Sequence, residues 1–146
     1  MNDMRAEAVA REAAGWEAFQ AALARIPRER WEDPGVLPGW TVKDLLWHVA
    51  GWLRSCADNL EAMGAGRYVE EDTTDQDTDA RNAELAAEAQ GMSVEDVWSG
   101  VIEARELVLS RWAELPEVDS LAAEELAGET FEHYEEHVPD LERFVG

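Results

Sequence analysis

The sequence predicts an all-α protein, a four-helix bundle with a long crossover between its second and third helices. Three observations carry that reading. The chain has 146 residues, the size of one ordinary domain, and is rich in Ala, Leu, Glu and Arg with only five prolines. Four long stretches place apolar residues three and four apart, the period of a helix with one buried face. The second and third of these are separated by a long polar segment, too long for a tight turn between neighbours. No fixed period repeats, which disfavours a helical array. Residues 1–146 are therefore expected to form a single domain.

The first helix is predicted from about Asp3 to Arg25, with Val9, Trp16, Phe19, Leu23 and Ile26 as its apolar stripe and Pro27 as its stop. Arg28 to Trp40 contains Pro34, Gly35, Pro38 and Gly39 and is a turn-rich connector. Its Trp31, Val36, Leu37 and Trp40 are too apolar to meet only water, so they should fold over one end of the core. The second helix opens on Thr41 as N-cap, with Asp44 three positions on in the manner of a capping box. Val42, Leu45, Val49, Trp52, Cys56, Leu60 and Met63 form its stripe, and Gly64 to Gly66 closes it.

Glu70 to Asp79 is strongly acidic and is expected to be solvated. Asp75, Asp77 and Asp79 alternate as in a calcium loop, but Ala80 and Ala86 stand where glycine and glutamate are needed. A short helix, Thr78 to Gln90, should follow. The third long helix starts after Ser93, with Asp96 in the capping-box place, and runs to about Leu115 before Pro116. Its stripe is Val94, Val97, Trp98, Val101, Val108, Trp112 and Leu115. The fourth runs from about Asp119 to Phe144, with a bend near Pro139, whose nitrogen cannot donate to the carbonyl of Glu135.

Charge and cysteine usage narrow the function. Thirty-three acids against 12 bases give a net charge of −21, which repels nucleic acid and anionic membrane. The single cysteine, Cys56, allows no internal disulfide and lies on a core stripe, as a buried inert thiol would. Met1 to Ala14 lacks an apolar signal core, and no run approaches the ~20 apolar residues of a membrane span. The protein is expected in the cytoplasm.

The residues with the most chemistry are three histidines. His133 and His137 stand four apart in the fourth helix, so their rings share one face at about 6 Å between Cβ atoms. Their face is the one that carries Leu126, Thr130, Leu141 and Phe144, and buried polar rings need partners. His48 lies on the flank of the second helix. Bundle interiors are a common place for metal sites built from facing helices. Three imidazoles with an open corner describe a catalytic site, one suited to zinc, nickel, iron(II), cobalt or manganese. A metal there can acidify a bound water or hold a thiolate as nucleophile. Asp44, Glu129, Glu132 and Glu136 are candidates to orient the outer ring nitrogens. Trp40, Trp47 and Trp52 are candidates for an apolar pocket wall, and Tyr134 for a catalytic hydroxyl.

Gly39-Trp40-Thr41-Val42-Lys43-Asp44-Leu45-Leu46-Trp47-His48-Val49-Ala50-Gly51-Trp52 resembles the second helix of the DinB/YfiT-like superfamily. Glu129 to His137 with Pro139 resembles its last helix, and Asp79 to Glu84 the insertion before its third. The resemblance covers most of the chain from Trp31 on. It implies a four-helix bundle with a divalent metal held by His48, His133 and His137, often in a homodimer. Characterised relatives use the metal to activate bacillithiol or mycothiol for transfer to an electrophile. Mycothiol-dependent maleylpyruvate isomerase is similar, with a glutamate where this chain has His133. The reading that follows is a metal-dependent enzyme transferring a low-molecular-weight thiol to a small electrophile in detoxification. Two others stay open: a hydrolase of a reactive small molecule, to which self-resistance proteins of the superfamily offer an analogy, and a non-catalytic protein that sequesters one.

Overall fold

In the computed structural model, which describes residues 3–70 and 72–146, the long helices form where the apolar periodicity places them. Helix α1 spans Asp3–Ala24, α2 Val42–Gly64, α3 Asp75–Gln90, α4 Val94–Glu114, α5 Ser120–Glu129 and α6 Phe131–Val145. The bundle consists of α1, α2, α4 and the α5–α6 pair, while α3 sits in the crossover between α2 and α4. Helix α2 packs closely on α4, and α1 on α6. The two pairs meet through aromatic rings, with Trp16 of α1 stacked on Trp98 of α4 at 5.9 Å and tilted against Tyr134 of α6 at 5.4 Å.

The connector after α1 is more ordered than its turn signals suggest. A 3₁₀ turn at Arg28–Arg30 leads into a two-stranded antiparallel hairpin, β1 (Pro34–Leu37) and β2 (Trp40–Thr41). Pro38 and Gly39 form its turn, and Gly39 has the positive φ, 78°, that a Pro-Gly turn requires at its second position. Trp31 and Val36 are buried, and Leu37 and Trp40 pack partly against the core, so the hairpin does cover one end of the bundle. Thr41 then starts α2: its hydroxyl accepts from the Asp44 amide at 3.1 Å while Asp44 Oδ2 accepts from the Thr41 amide at 3.0 Å.

Three sequence expectations are corrected. Helix α3 begins three residues earlier than predicted, because Thr74 and Asp77 build a reciprocal capping box at 3.1 Å in each direction. The alternating acids Asp75, Asp77 and Asp79 are consequently in the first turns of a helix, not in a calcium loop. Val9 is 40% exposed, and Ala8 and Glu12 are buried in its place. Finally, the fourth helix breaks at Thr130 and continues through Pro139. Thr130 leaves helical geometry (φ −114°, ψ −100°), and its hydroxyl donates to the Leu126 carbonyl at 2.6 Å. Its own carbonyl accepts from the Tyr134 amide at 2.8 Å and starts α6. The proline lies inside α6, where it deprives the helix of one hydrogen bond without ending it.

Glu12 explains why the first helix has so weak an apolar stripe. Its carboxylate, 1% exposed, accepts from Arg105 at 2.8 and 2.7 Å and from the Tyr134 hydroxyl at 2.9 Å. A buried carboxylate needs such partners, and here they come from α4 and α6, so one residue ties three helices. Glu12→Ala should lower unfolding free energy by about 1–3 kcal/mol, because the buried Tyr134 hydroxyl and the half-buried Arg105 lose their acceptor. A urea midpoint unchanged from the parent protein would contradict this.

Candidate metal centre

His48 enters the site from the second turn of α2, and His133 and His137 from the first two turns of α6. The break at Thr130 sets the direction in which α6 leaves α5, and so where both rings point. Nε2 of His133 lies 3.0 Å from Nε2 of His48 and 3.1 Å from Nε2 of His137. One nitrogen from each of the three rings falls within 4.8 Å of the others. His48 and His137 are buried, at 8% and 7% exposure, and His133 is half-buried.

The outer nitrogens decide which way the lone pairs face. Asn82 Oδ1 accepts from the Trp52 indole N–H at 2.8 Å and lies 3.1 Å from His48 Nδ1. An indole nitrogen only donates, so the atom facing His48 is the amide oxygen, and Nδ1–H of His48 donates to it. His137 Nδ1–H donates to Asp140 Oδ2 at 2.9 Å, and Asp140 is held in turn by Arg143. In neutral rings these bonds leave the Nε2 lone pairs of His48 and His137 aimed at His133. His133 Nδ1 is the one buried polar side-chain atom among the described residues with no partner. With at most one proton on Nε2, His133 cannot satisfy both neighbours, and with that proton on Nδ1 three lone pairs converge.

A divalent cation resolves this arrangement, since imidazole ligands must present bare nitrogens to it. Tetrahedral zinc with bonds of ~2.0 Å needs nitrogens about 3.3 Å apart, close to the two short separations here. The donor set therefore fits a metal. Burial, with the neighbouring His137 adding to it, lowers the pKa of His48 to about 4, against a raising contribution from Asn82. Burial and the two other rings lower that of His133 to about 3. Both rings are neutral near pH 7, as ligation demands.

The triad is at the floor of a cleft of about 450 Å³. Leu37, Trp40 and Trp52 give it apolar walls, Thr78 and Asn82 of α3 one polar side, and Glu129 and Glu136 an acidic one. The Trp40 ring is 5.1 Å from that of His48. Glu129 has its pKa raised to about 7, by burial and then by the neighbouring Glu125. Other surface hollows, including a larger one between α1 and α6, contain none of the three histidines.

The remaining candidates lie elsewhere. Asp44 is engaged in the cap of α2, and Glu132 is exposed away from the cleft, beside a hollow that Met4 and Ser120 also line. Trp47 turns toward α3 and α4, donating to Glu88 at 2.9 Å and touching Gly100. Tyr134 is buried with its hydroxyl on Glu12, which places it in the core and not in the cleft. Burial and the Glu12 charge raise its pKa, so it is a poor acid. Cys56 is fully buried, and its thiol pKa is raised by burial and then by Glu125 and Glu129. Asn82 and Asp140, which do hold the outer nitrogens, are not among the candidates read from sequence. Asp140 carried a usable signal, three residues beyond His137 on the same helix face; Asn82 lies in the Asp79–Glu84 tract that the resemblance singles out, but its contact with His48, 34 residues away, has no local pattern.

A family model for the mycothiol maleylpyruvate isomerase N-terminal domain matches residues 13–127. The chain belongs to that family, one of DinB-like four-helix bundles. The matched stretch contains His48 and ends before α6, so the other two histidines join the site through the fold. No curated protein and no solved structure matches the chain.

The lowered pKa values set a sign for acid sensitivity. A histidine whose folded pKa lies below its unfolded value adds stability that is complete above about pH 6.5 and is lost as pH falls toward the folded value. Chelator-treated protein should therefore lose about 1–2 kcal/mol more between pH 7 and pH 5 than a His133→Asn variant does, measured by urea unfolding. Parallel losses in the two proteins would contradict the burial of a neutral ring.

Proposed function

We propose that this member of the family is a metal-dependent enzyme that transfers a low-molecular-weight thiol to a small electrophile. The observation that carries this is the convergence of three imidazole nitrogens, two with their outer atoms already bonded, at the floor of an open cleft. A divalent metal bound there supplies Lewis-acid chemistry, lowering the pKa of a thiol and holding its sulfur beside the cleft.

The chain's own residues do the rest. His48, His133 and His137 would hold that metal, and through it set where the nucleophile stands. Trp40, Trp52 and Leu37 exclude water and receive the apolar part of the electrophile. Glu129, half-buried in the wall of the same cleft, is suited to take up the thiol proton. Mycothiol or bacillithiol is the cosubstrate that the family resemblance supports. The same resemblance supports a homodimer acting in detoxification, and the cytoplasm remains the location expected from the sequence.

Glu129 serves a hydrolytic reading equally well, with water in place of the thiol. The two separate in one assay. Thiol-dependent disappearance of a model electrophile supports transfer, and turnover without thiol supports hydrolysis. Protection that stops at one equivalent supports sequestration instead.

Protein purified without a histidine tag should contain about one equivalent of divalent metal. His48→Ala, His133→Ala and His137→Ala should each lose most of it together with turnover, by metal analysis and initial rates. Full metal content in all three variants would remove the basis of the proposal. The three ligands should not be equally sensitive. His133 has no outer partner to abandon, so His133→Glu should stay within about tenfold of the parent in zinc affinity, while His48→Glu and His137→Glu lose more. Equal losses at all three positions would show that the outer bonds do not matter.

A further inference from the structure

Helix α3 is not part of the four-helix bundle, yet it supplies one of the closest contacts to the triad. Its polar face is exposed, and it is seated on α2 through Leu85 and Ala89, both fully buried. Gly51 of α2 makes room for this: a Cβ there would lie 2.5 Å from a Leu85 methyl carbon. Glu88 adds a hydrogen bond from the Trp47 indole. One turn before Leu85, Asn82 faces the cleft and meets His48, 34 residues earlier in the chain.

A neutral imidazole can carry its proton on either nitrogen, and only one tautomer leaves Nε2 bare. An amide offers an oxygen or an NH₂ depending on how it is turned, so an asparagine enforces a tautomer only if its own orientation is fixed. Trp52 fixes it. The indole N–H donates to Oδ1 at 2.8 Å, and that same oxygen, with its second lone pair, stands 3.1 Å from His48 Nδ1. A turned amide would set its NH₂ against the indole N–H.

We infer that Asn82 is a positioning residue for His48: clamped by Trp52, its amide oxygen holds His48 in the tautomer whose Nε2 faces His133, and so ties the docking of α3 to the metal centre. This rests on the proposed metal site for its purpose, though not for its geometry. The coupling is reciprocal, as any linkage is: a cation on Nε2 strengthens the Nδ1–H donor and anchors α3 more firmly.

The test uses the whole chain with Asn82→Ala, Asn82→Asp and Trp52→Phe. In metal-free protein, ¹⁵N NMR of the imidazoles should show His48 protonated at Nδ1 in the parent and in Asn82→Asp, and a tautomer mixture in Asn82→Ala. Zinc affinity by chelator competition should fall by about 10–100-fold in Asn82→Ala, recover in Asn82→Asp, and fall by a smaller factor in Trp52→Phe. Amide exchange in α3 should slow on zinc binding in the parent and not in Asn82→Ala. An unchanged His48 tautomer in metal-free Asn82→Ala overturns the inference, as does zinc affinity within twofold of the parent or failure of the aspartate to restore it. A parent protein that takes up no zinc while Asn82→Ala still alters the tautomer overturns the metal reading and leaves the positioning role intact.

Discussion

Three nitrogen lone pairs held close together in a protein interior are unfavourable unless something positive lies between them, and this molecule is built around that constraint. Two of the three rings are fixed from behind, one by the amide of Asn82 and one by the Asp140 carboxylate. Each of those bonds settles the tautomer and turns the remaining lone pair inward. The third ring, His133, has a buried nitrogen without a partner, a cost of roughly 1–3 kcal/mol for a neutral polar group. A cation shared by the three rings would offset the convergence of their inward-facing Nε2 lone pairs.

The bundle converts ordinary packing into that arrangement. The triad needs α2 and α6 to meet at a fixed rotation, and neither helix sets this alone. The turn at Thr130 lets α6 take a direction different from that of α5. Glu12 then anchors Tyr134, the residue next to His133, to α1 and to Arg105 of α4. With Tyr134 drawn into the core, His133 and His137 emerge on the side that α2 faces. The hairpin ending in Trp40 closes one wall of the cleft, and α3 closes another.

Much of this was legible in the sequence, for identifiable reasons. The helices follow from a 3.6-residue apolar period, and the caps at Thr41 and Ser93 from short polar side chains at helix starts. The triad was legible because two histidines four apart must share a face, and because they fall where an apolar side chain would otherwise be. Glu12 was not legible: a glutamate in a charged helix looks solvated, and its partners are 93 and 122 residues away. The contact of Asn82 with His48, 34 residues away, was hidden for the same reason. The break at Thr130 lost to the expectation from Pro139, since proline is the stronger local signal while a single hydroxyl bonded to a carbonyl leaves no pattern in one chain. Tyr134 shows the opposite error, where adjacency to His133 in sequence suggested chemistry but helical geometry turned the ring by about 100° into the core.

The cleft itself is acidic and aromatic, with Glu129 and Glu136 beside Trp40 and Trp52, and no lysine or arginine is among its lining residues. That balance suits a divalent cation and an apolar or uncharged reactant better than an anionic one. The central claim concerns the cation, and X-ray absorption on tag-free protein loaded with one equivalent of zinc or cobalt(II) tests it most directly. Three imidazole nitrogens at ~2.0–2.1 Å, with a further light-atom ligand completing the shell, is the predicted result. A shell with one imidazole or none, or no stoichiometric uptake at all, would contradict it.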